Sequence, residues 1–145
     1  MKVFLYIIGW TSAILLLMQL VKIEIPTPPK AAPADEIVAS KEVMTILKKA
    51  CYDCHSNHTD WPWYSDIAPI SFEVRGHVKN GRSWLNFAIW NQYDDKKKQE
   101  RYKGVVKTID IKMPIPAYIM THPEAKLTRD ERELIKKWAK DQIKE

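Results

Sequence analysis

The chain has 145 residues and a formal net charge of +5 at pH 7. That length holds one ordinary domain with a short additional segment and excludes two full cores. The basic residues form no arginine-rich clusters, so the sequence gives no reason to expect a nucleic-acid partner.

The first feature along the chain is an uncharged apolar stretch from Val3 to Val21, bracketed by Lys2 and Lys22. As a helix it would be about 28 Å long, close to the hydrocarbon thickness of a bilayer. We therefore predict an N-terminal transmembrane helix within residues 1–24 and, through it, attachment to a membrane. A cleaved signal peptide is the alternative, but the residues after Val21 make a poor cleavage site.

A proline-rich segment follows at residues 25–34. Prolines at this density favour an extended, semi-rigid spacer. We expect this tether to separate the apolar segment from a folded domain at residues 35–145. The prolines are Pro26, Pro28, Pro29 and Pro33.

The domain has the pattern of an all-α protein. Apolar residues recur at intervals of three and four up to the cysteine motif at Cys51. This periodicity predicts a helix capped by Asp35 or Ser40. Further helical regions are predicted at 72–78 and 83–102, the second interrupted near Asp94. The first apolar stripe comprises Val43, Ile46, Leu47, Ala50 and Cys54.

The end of the chain combines an irregular segment with a well-marked helix. Three prolines between residues 109 and 123 exclude a regular helix across that range. Thr128 and Glu131 then have the spacing of a capping box, which predicts the start of a final helix. Its apolar face is Leu134, Ile135, Trp138 and Ala139.

The two cysteines of the chain, Cys51 and Cys54, lie in one Cys-x-x-Cys-His motif that ends at His55. This spacing is typical of covalent c-type haem attachment. Two thiols three residues apart on a helical turn can reach the two vinyl groups at one edge of a porphyrin, and the adjacent imidazole can bind the iron. The motif therefore predicts one haem c, bound through both cysteines and ligated by His55.

Three other interpretations of the motif remain open. A redox-active dithiol usually follows a strand in a βαβ unit, a pattern that this sequence lacks. A zinc site would need two histidines beside the two thiolates. A structural disulfide is the simplest alternative, although so short a loop stabilises a fold little. The histidines available to zinc are His55, His58, His77 and His122.

Beyond this motif, the chain resembles the bacterial haem-binding domain family of small monohaem c-type cytochromes. The resemblance covers most of residues 45–140, and Ile115 departs from it where a second proline is expected after Pro114. It implies a cytochrome-c-like helical domain that binds haem and carries electrons. The segments that carry it are Cys51–Asn57, Trp61–Tyr64, Ile67–Pro69, His77–Val78, Gly81–Arg82, Leu85–Phe87, Met113–Pro114, Tyr118 and His122–Leu127.

Met113 is the expected sixth ligand of the iron. It lies before a capped C-terminal helix, an order that resembles the methionine loop of small cytochromes c. A thioether opposite a histidine favours ferrous iron and suits reversible electron transfer. His77 and His122 are the alternatives.

Together these features predict an electron carrier rather than an enzyme. We expect its haem domain in the periplasm, at the outer face of the inner membrane, with redox proteins not identified by the sequence as its partners. The alternative is a peroxidase-like enzyme or ligand sensor with an open sixth iron position, in which His77 or His122 assists the chemistry. A zinc-stabilised interaction module without haem is a third hypothesis.

Overall fold

The computed structural model describes residues 1–144, and it confirms the predicted all-α fold. No β-strand occurs in that range; seven α-helices are joined by turns and short 3-10 helices. The α-helices are α1 (Lys2–Met18), α2 (Lys41–Ala50), α3 (Tyr52–His55), α4 (Ile70–Trp84), α5 (Asp95–Thr108), α6 (Pro116–Thr121) and α7 (Arg129–Asp141).

Helix α2 forms where the apolar stripe predicts it. The Ser40 hydroxyl accepts a hydrogen bond from the Val43 amide at 3.4 Å, so Ser40 and not Asp35 is the cap. The four stripe positions within the helix are all buried, which explains why a short amphipathic segment is stable here. They are Val43, Ile46, Leu47 and Ala50.

Helix α7 confirms the predicted capping box. The Thr128 hydroxyl accepts from the Glu131 amide at 3.2 Å, and the Glu131 carboxylate accepts from the Thr128 amide at 2.8 Å. Ile135 and Ala139 are fully buried against α2 and α5, and Lys49 of α2 forms an ion pair with Glu131. These contacts close the main core beside the cysteine motif.

The middle of the chain differs from the predicted boundaries. Helix α4 extends to Trp84, and a 3-10 helix at Phe87–Gln92 replaces the start of the predicted 83–102 helix. The predicted interruption near Asp94 is present, because Asp94 caps α5 by accepting from the Lys97 amide at 2.7 Å. Pro116 begins α6 instead of preventing it, since proline at the first helical position needs no amide partner.

The predicted transmembrane helix is not supported. The apolar segment forms the 17-residue helix α1, which ends at Met18 and buries none of its side chains. Among the described residues, no helix combines the length and apolarity needed to cross a bilayer. After α1, the side chain of Gln19 pairs with the backbone of Ala68, with both hydrogen bonds at 3.0 Å.

The proline-rich segment lies along the folded domain. Arg75 donates to the carbonyl of Ile23 at 3.3 Å, Asn57 to that of Pro29 at 2.9 Å, and Gln92 to that of Lys30 at 3.0 Å. An extended backbone offers free carbonyl groups, and here side chains of the domain bind them. We call residues 19–37 the strap, because they cross the domain instead of holding it at a distance.

Candidate functional site

The cysteine motif lies at a junction between two helices. Helix α2 ends at Ala50, Cys51 forms the bend, and α3 carries Cys54 and His55. Helix α3 packs on α4 so closely that a Cβ atom built on Gly81 would overlap the carbonyl oxygen of Cys54. Only glycine permits this approach, and it places the two thiols and the imidazole beside the C-terminal half of α4.

The imidazole of His55 is oriented by backbone carbonyl groups. Its Nδ1 lies 3.1 Å from the carbonyl oxygen of Gly81 and 3.1 Å from that of Leu85. A carbonyl partner requires the proton on Nδ1, so Nε2 keeps its lone pair for a metal. Burial lowers the pKa of His55 more than these bonds raise it, which favours the neutral, ligating form.

An apolar cavity of about 210 Å³ opens beside the motif. Two further hollows of about 160 Å³ and 140 Å³ lie beside it and share lining residues with it. A flat apolar group held by thioethers needs such a largely apolar surface. The cavity and the smaller hollow of 140 Å³ share Ala50, Cys51, His55, Trp84, Met113 and Pro114.

The structure brings Met113 to the same cavity as His55 and both cysteines. Met113 is half-buried and lines the 210 Å³ cavity and the 140 Å³ hollow, as His55 does. Its amide donates to the Thr108 carbonyl at 3.1 Å, and its carbonyl accepts from Arg132 at 2.8 Å. The ends of α5 and α7 therefore fix the backbone of the predicted sixth ligand.

The two alternative ligands occupy different places. His77 lines the 210 Å³ cavity and the 160 Å³ hollow, and its Nε2 lies 3.7 Å from Glu73. His122 lines only the 160 Å³ hollow, whereas His55 lines the 210 Å³ cavity and the 140 Å³ hollow. The ring of His122 stacks on Tyr118 with the ring centroids 4.2 Å apart. His77 is therefore the better placed of the two.

The environment of the thiols bears on the other interpretations of the motif. Burial raises the pKa of Cys51 to about 12 and that of Cys54 to about 11, with no disulfide between them. Redox-active dithiols instead have lowered thiol pKa values. A zinc site gains no support either, because residues 1–144 contain no cluster of three or more potential metal-binding side chains.

The loop after the motif is held by polar side chains. Arg82 donates to the Ser56 carbonyl at 2.7 Å and to the Thr59 hydroxyl at 2.8 Å. Asn86 donates to the side chain of Asn57 at 2.7 Å, and Asn57 in turn binds the strap. Arg82 thus fixes the motif loop and lines none of the three hollows.

Two contacts within the site were not anticipated from the sequence. Trp84 forms part of the wall of two hollows and packs on Gly104 of α5, where a Cβ atom would overlap its ring. An isolated glycine within a helical pattern is a signal of such close packing. Tyr118 donates a hydrogen bond of 2.6 Å to Asp53, a partner 65 positions away that no local pattern indicates.

These residues fit a covalently held haem, as judged by the apolar cavity, the free Nε2 of His55 and the two adjacent thiols. In comparisons with known proteins, a family model described as a haem-binding domain matches residues 13–141 of the chain. No curated protein and no solved structure gives a significant match.

Proposed function

The chain belongs to the haem-binding domain family, and from this premise we propose that it is a monohaem c-type cytochrome that transfers single electrons. In this proposal Cys51 and Cys54 hold one haem covalently, and His55 and Met113 bind its iron. Haem iron with a histidine and a thioether ligand supplies reversible one-electron oxidation and reduction.

The observation that carries the proposal is the shared lining of the cavity. The two thiols, the imidazole of His55 and the thioether of Met113 all border the same 210 Å³ space. Met113 comes from a segment 58 positions beyond His55 in the sequence. This shared lining supports Met113, whose thioether is a soft donor, as the second protein ligand of a histidine-ligated iron.

The surrounding residues favour electron transfer over ligand binding. The carbonyl groups of Gly81 and Leu85 fix the ring of His55, and Arg132 fixes the backbone of Met113. Rigid ligands reduce the structural rearrangement that accompanies a change of oxidation state. Trp84 and Tyr118 add aromatic rings to the cavity wall, which would limit the contact of a bound haem with water.

The proposal includes a periplasmic location at the outer face of the inner membrane, with redox proteins as partners. Its support is the order of the chain, in which an apolar segment precedes the haem motif as it does in exported proteins. A fractionation of cells that express the full chain tests this part. Recovery of the haem protein from the cytoplasm contradicts it.

The deciding experiment compares absorption spectra of the oxidised and reduced protein with those of Met113→Ala. Protein matured with the haem-attachment machinery is expected to contain one covalent haem and to show the sulfur–iron charge-transfer band when oxidised. The band disappears in Met113→Ala. Met120→Ala is the matched control, because Met120 is 84% exposed and lines none of the three hollows.

A colourless product with no added haem mass contradicts the whole proposal. A haem protein whose spectrum is unchanged in Met113→Ala contradicts only the sixth ligand, and His77→Ala is then the next variant. The second candidate function, a peroxidase-like enzyme or ligand sensor, draws its support from His77, which borders the same cavity. Rapid binding of carbon monoxide or peroxide by the wild-type protein favours it.

A further inference from the structure

The segment that follows Met113 makes few polar contacts with the rest of the protein. Residues 114–124 contain the six-residue helix α6, and their backbone hydrogen bonds are local. Most of their side chains are exposed or half-buried. Such a segment opens easily unless a specific contact holds it.

The hydroxyl of Tyr118 provides that contact. It donates a hydrogen bond of 2.6 Å to Oδ2 of Asp53, which lies between the two cysteines of the haem motif. Within the described structure, no other side-chain hydrogen bond or ion pair connects residues 114–124 to residues outside that segment. A hydrogen bond to a carboxylate is stronger than one between neutral groups.

Asp53 is itself firmly held. Its Oδ1 accepts from the Asp60 amide at 3.1 Å, and its backbone carbonyl accepts from the Thr59 hydroxyl at 2.6 Å. Thr59 in turn accepts a hydrogen bond from Arg82 of α4. The acceptor of the Tyr118 hydroxyl is therefore part of the rigid side of the cavity.

Tyr118 also lies between two of the hollows. It lines both the 210 Å³ cavity and the 160 Å³ hollow, and Asp53 and Cys54 of the cysteine motif line the same two spaces. On the side of Met113 nearer the N-terminus, the backbone is fixed by Thr108 and Arg132. On the other side, Tyr118 is the nearest residue in sequence whose side chain forms a hydrogen bond with another segment of the described structure.

We propose that Tyr118 is a positioning residue whose hydrogen bond to Asp53 closes residues 114–122 against the haem motif and so keeps Met113 on the iron. This inference rests on the proposed function. When the bond is absent, the segment opens more often, and an external ligand gains access to the position of Met113. The bond thereby sets how well this site excludes small molecules.

The test uses the matured haem protein and two variants. Tyr118→Phe removes the hydroxyl and keeps the ring that stacks on His122. Tyr64→Phe is the matched control, because Tyr64 lines the 160 Å³ hollow and its hydroxyl makes no hydrogen bond within the described structure. Two quantities are measured: amide hydrogen exchange in residues 115–122, and the rate at which imidazole replaces Met113 in the oxidised protein.

In Tyr118→Phe we expect both rates to rise about tenfold or more, the effect of losing one hydrogen bond to a charged group. In Tyr64→Phe neither changes. Asp53→Asn leaves one acceptor oxygen for two donors, the Tyr118 hydroxyl and the Asp60 amide, and is expected to lie between Tyr118→Phe and the wild type.

Unchanged hydrogen exchange in Tyr118→Phe overturns the inference, and so does faster exchange without faster imidazole binding. A failure of the proposed function is recognised separately. It is visible in the spectrum of the wild-type protein, as missing haem or a missing sulfur–iron band, before any variant is compared.

Discussion

The backbone of Gly81 lies directly against the carbonyl group of Cys54, so that a Cβ atom at residue 81 would overlap the carbonyl oxygen and lie 3.1 Å from Cys54 Cβ. Gly81 also supplies one of the two carbonyl groups that orient the imidazole of His55. One residue of α4 therefore determines both how closely α3 approaches and how its histidine is turned.

The substitution Gly81→Ala is expected to destabilise the protein by about 1–3 kcal/mol, because α3 and α4 must move apart to accommodate the methyl group. The orientation of His55 changes with them. Denaturant unfolding measures the first effect and the haem spectrum the second. Gly76→Ala, in the same helix, is the control, since no atom lies within 4 Å of its new Cβ. That variant should be more stable by about 0.5–1 kcal/mol.

The contact between Trp84 and Gly104 leads to a second prediction. A methyl group at residue 104 would overlap the indole, which must then leave its place in the cavity wall. We expect Gly104→Ala to increase the access of water to the haem and to shift the reduction potential. Equilibrium redox titration measures the shift. Trp84→Phe should shift the potential in the same direction, and opposite shifts would refute the packing argument.

The strap predicts different results for two deletions. Removing residues 1–18 takes away a helix with no buried side chain, so the stability of the haem domain should change little. Removing residues 1–34 also deletes the carbonyl groups bound by Arg75, Asn57 and Gln92. We expect a further loss of about 1–3 kcal/mol, from hydrogen bonds worth about 1 kcal/mol each. Thermal unfolding of the two truncated proteins, both matured with haem, measures this difference. Equal midpoints would show that the strap contributes nothing.

The ion pair between Lys49 and Glu131 predicts a pH dependence. The hydrogen bond from Lys49, and after it that from the Thr128 amide, lowers the pKa of Glu131 in the folded protein. A lowered pKa means that this stabilisation is complete above the pKa of the unfolded chain, about 4.3, and is lost as the pH falls through the folded value. Between pH 7 and pH 3, the unfolding midpoint of the wild type should therefore fall further than that of Glu131→Gln. Parallel curves would contradict this assignment.

Much of the fold could be predicted from local patterns. The stripe that begins at Val43 and the capping box at Thr128 each depend on residues within one or two turns, and both gave the right helix. The Cys51-x-x-Cys54-His55 spacing likewise predicts haem binding without any knowledge of the fold, and the match to a haem-binding domain family supports that prediction. Periodicity, capping and motif spacing can be recognised in the sequence because their physical causes are local.

The features that the sequence did not reveal depend on distant partners. The prolines of residues 25–34 indicate an extended backbone, but not that Asn57 and Gln92 bind it. Three prolines in residues 109–123 predict irregular structure, but Pro116 at a first helical position is compatible with a helix. The pairing of Tyr118 with Asp53 has no local sign in either segment.

The strap has a consequence for how far the proposed redox centre can travel. A flexible linker would let the centre sweep a wide volume around α1 and meet partners at many distances and angles. Gln19, Pro29 and Lys30 of the strap are instead bound by groups of the domain, so the end of α1 lies beside the domain in the structure. In the proposed function, a partner that holds α1 would therefore meet the domain close to α1, and the strap would limit the distance across which electrons tunnel.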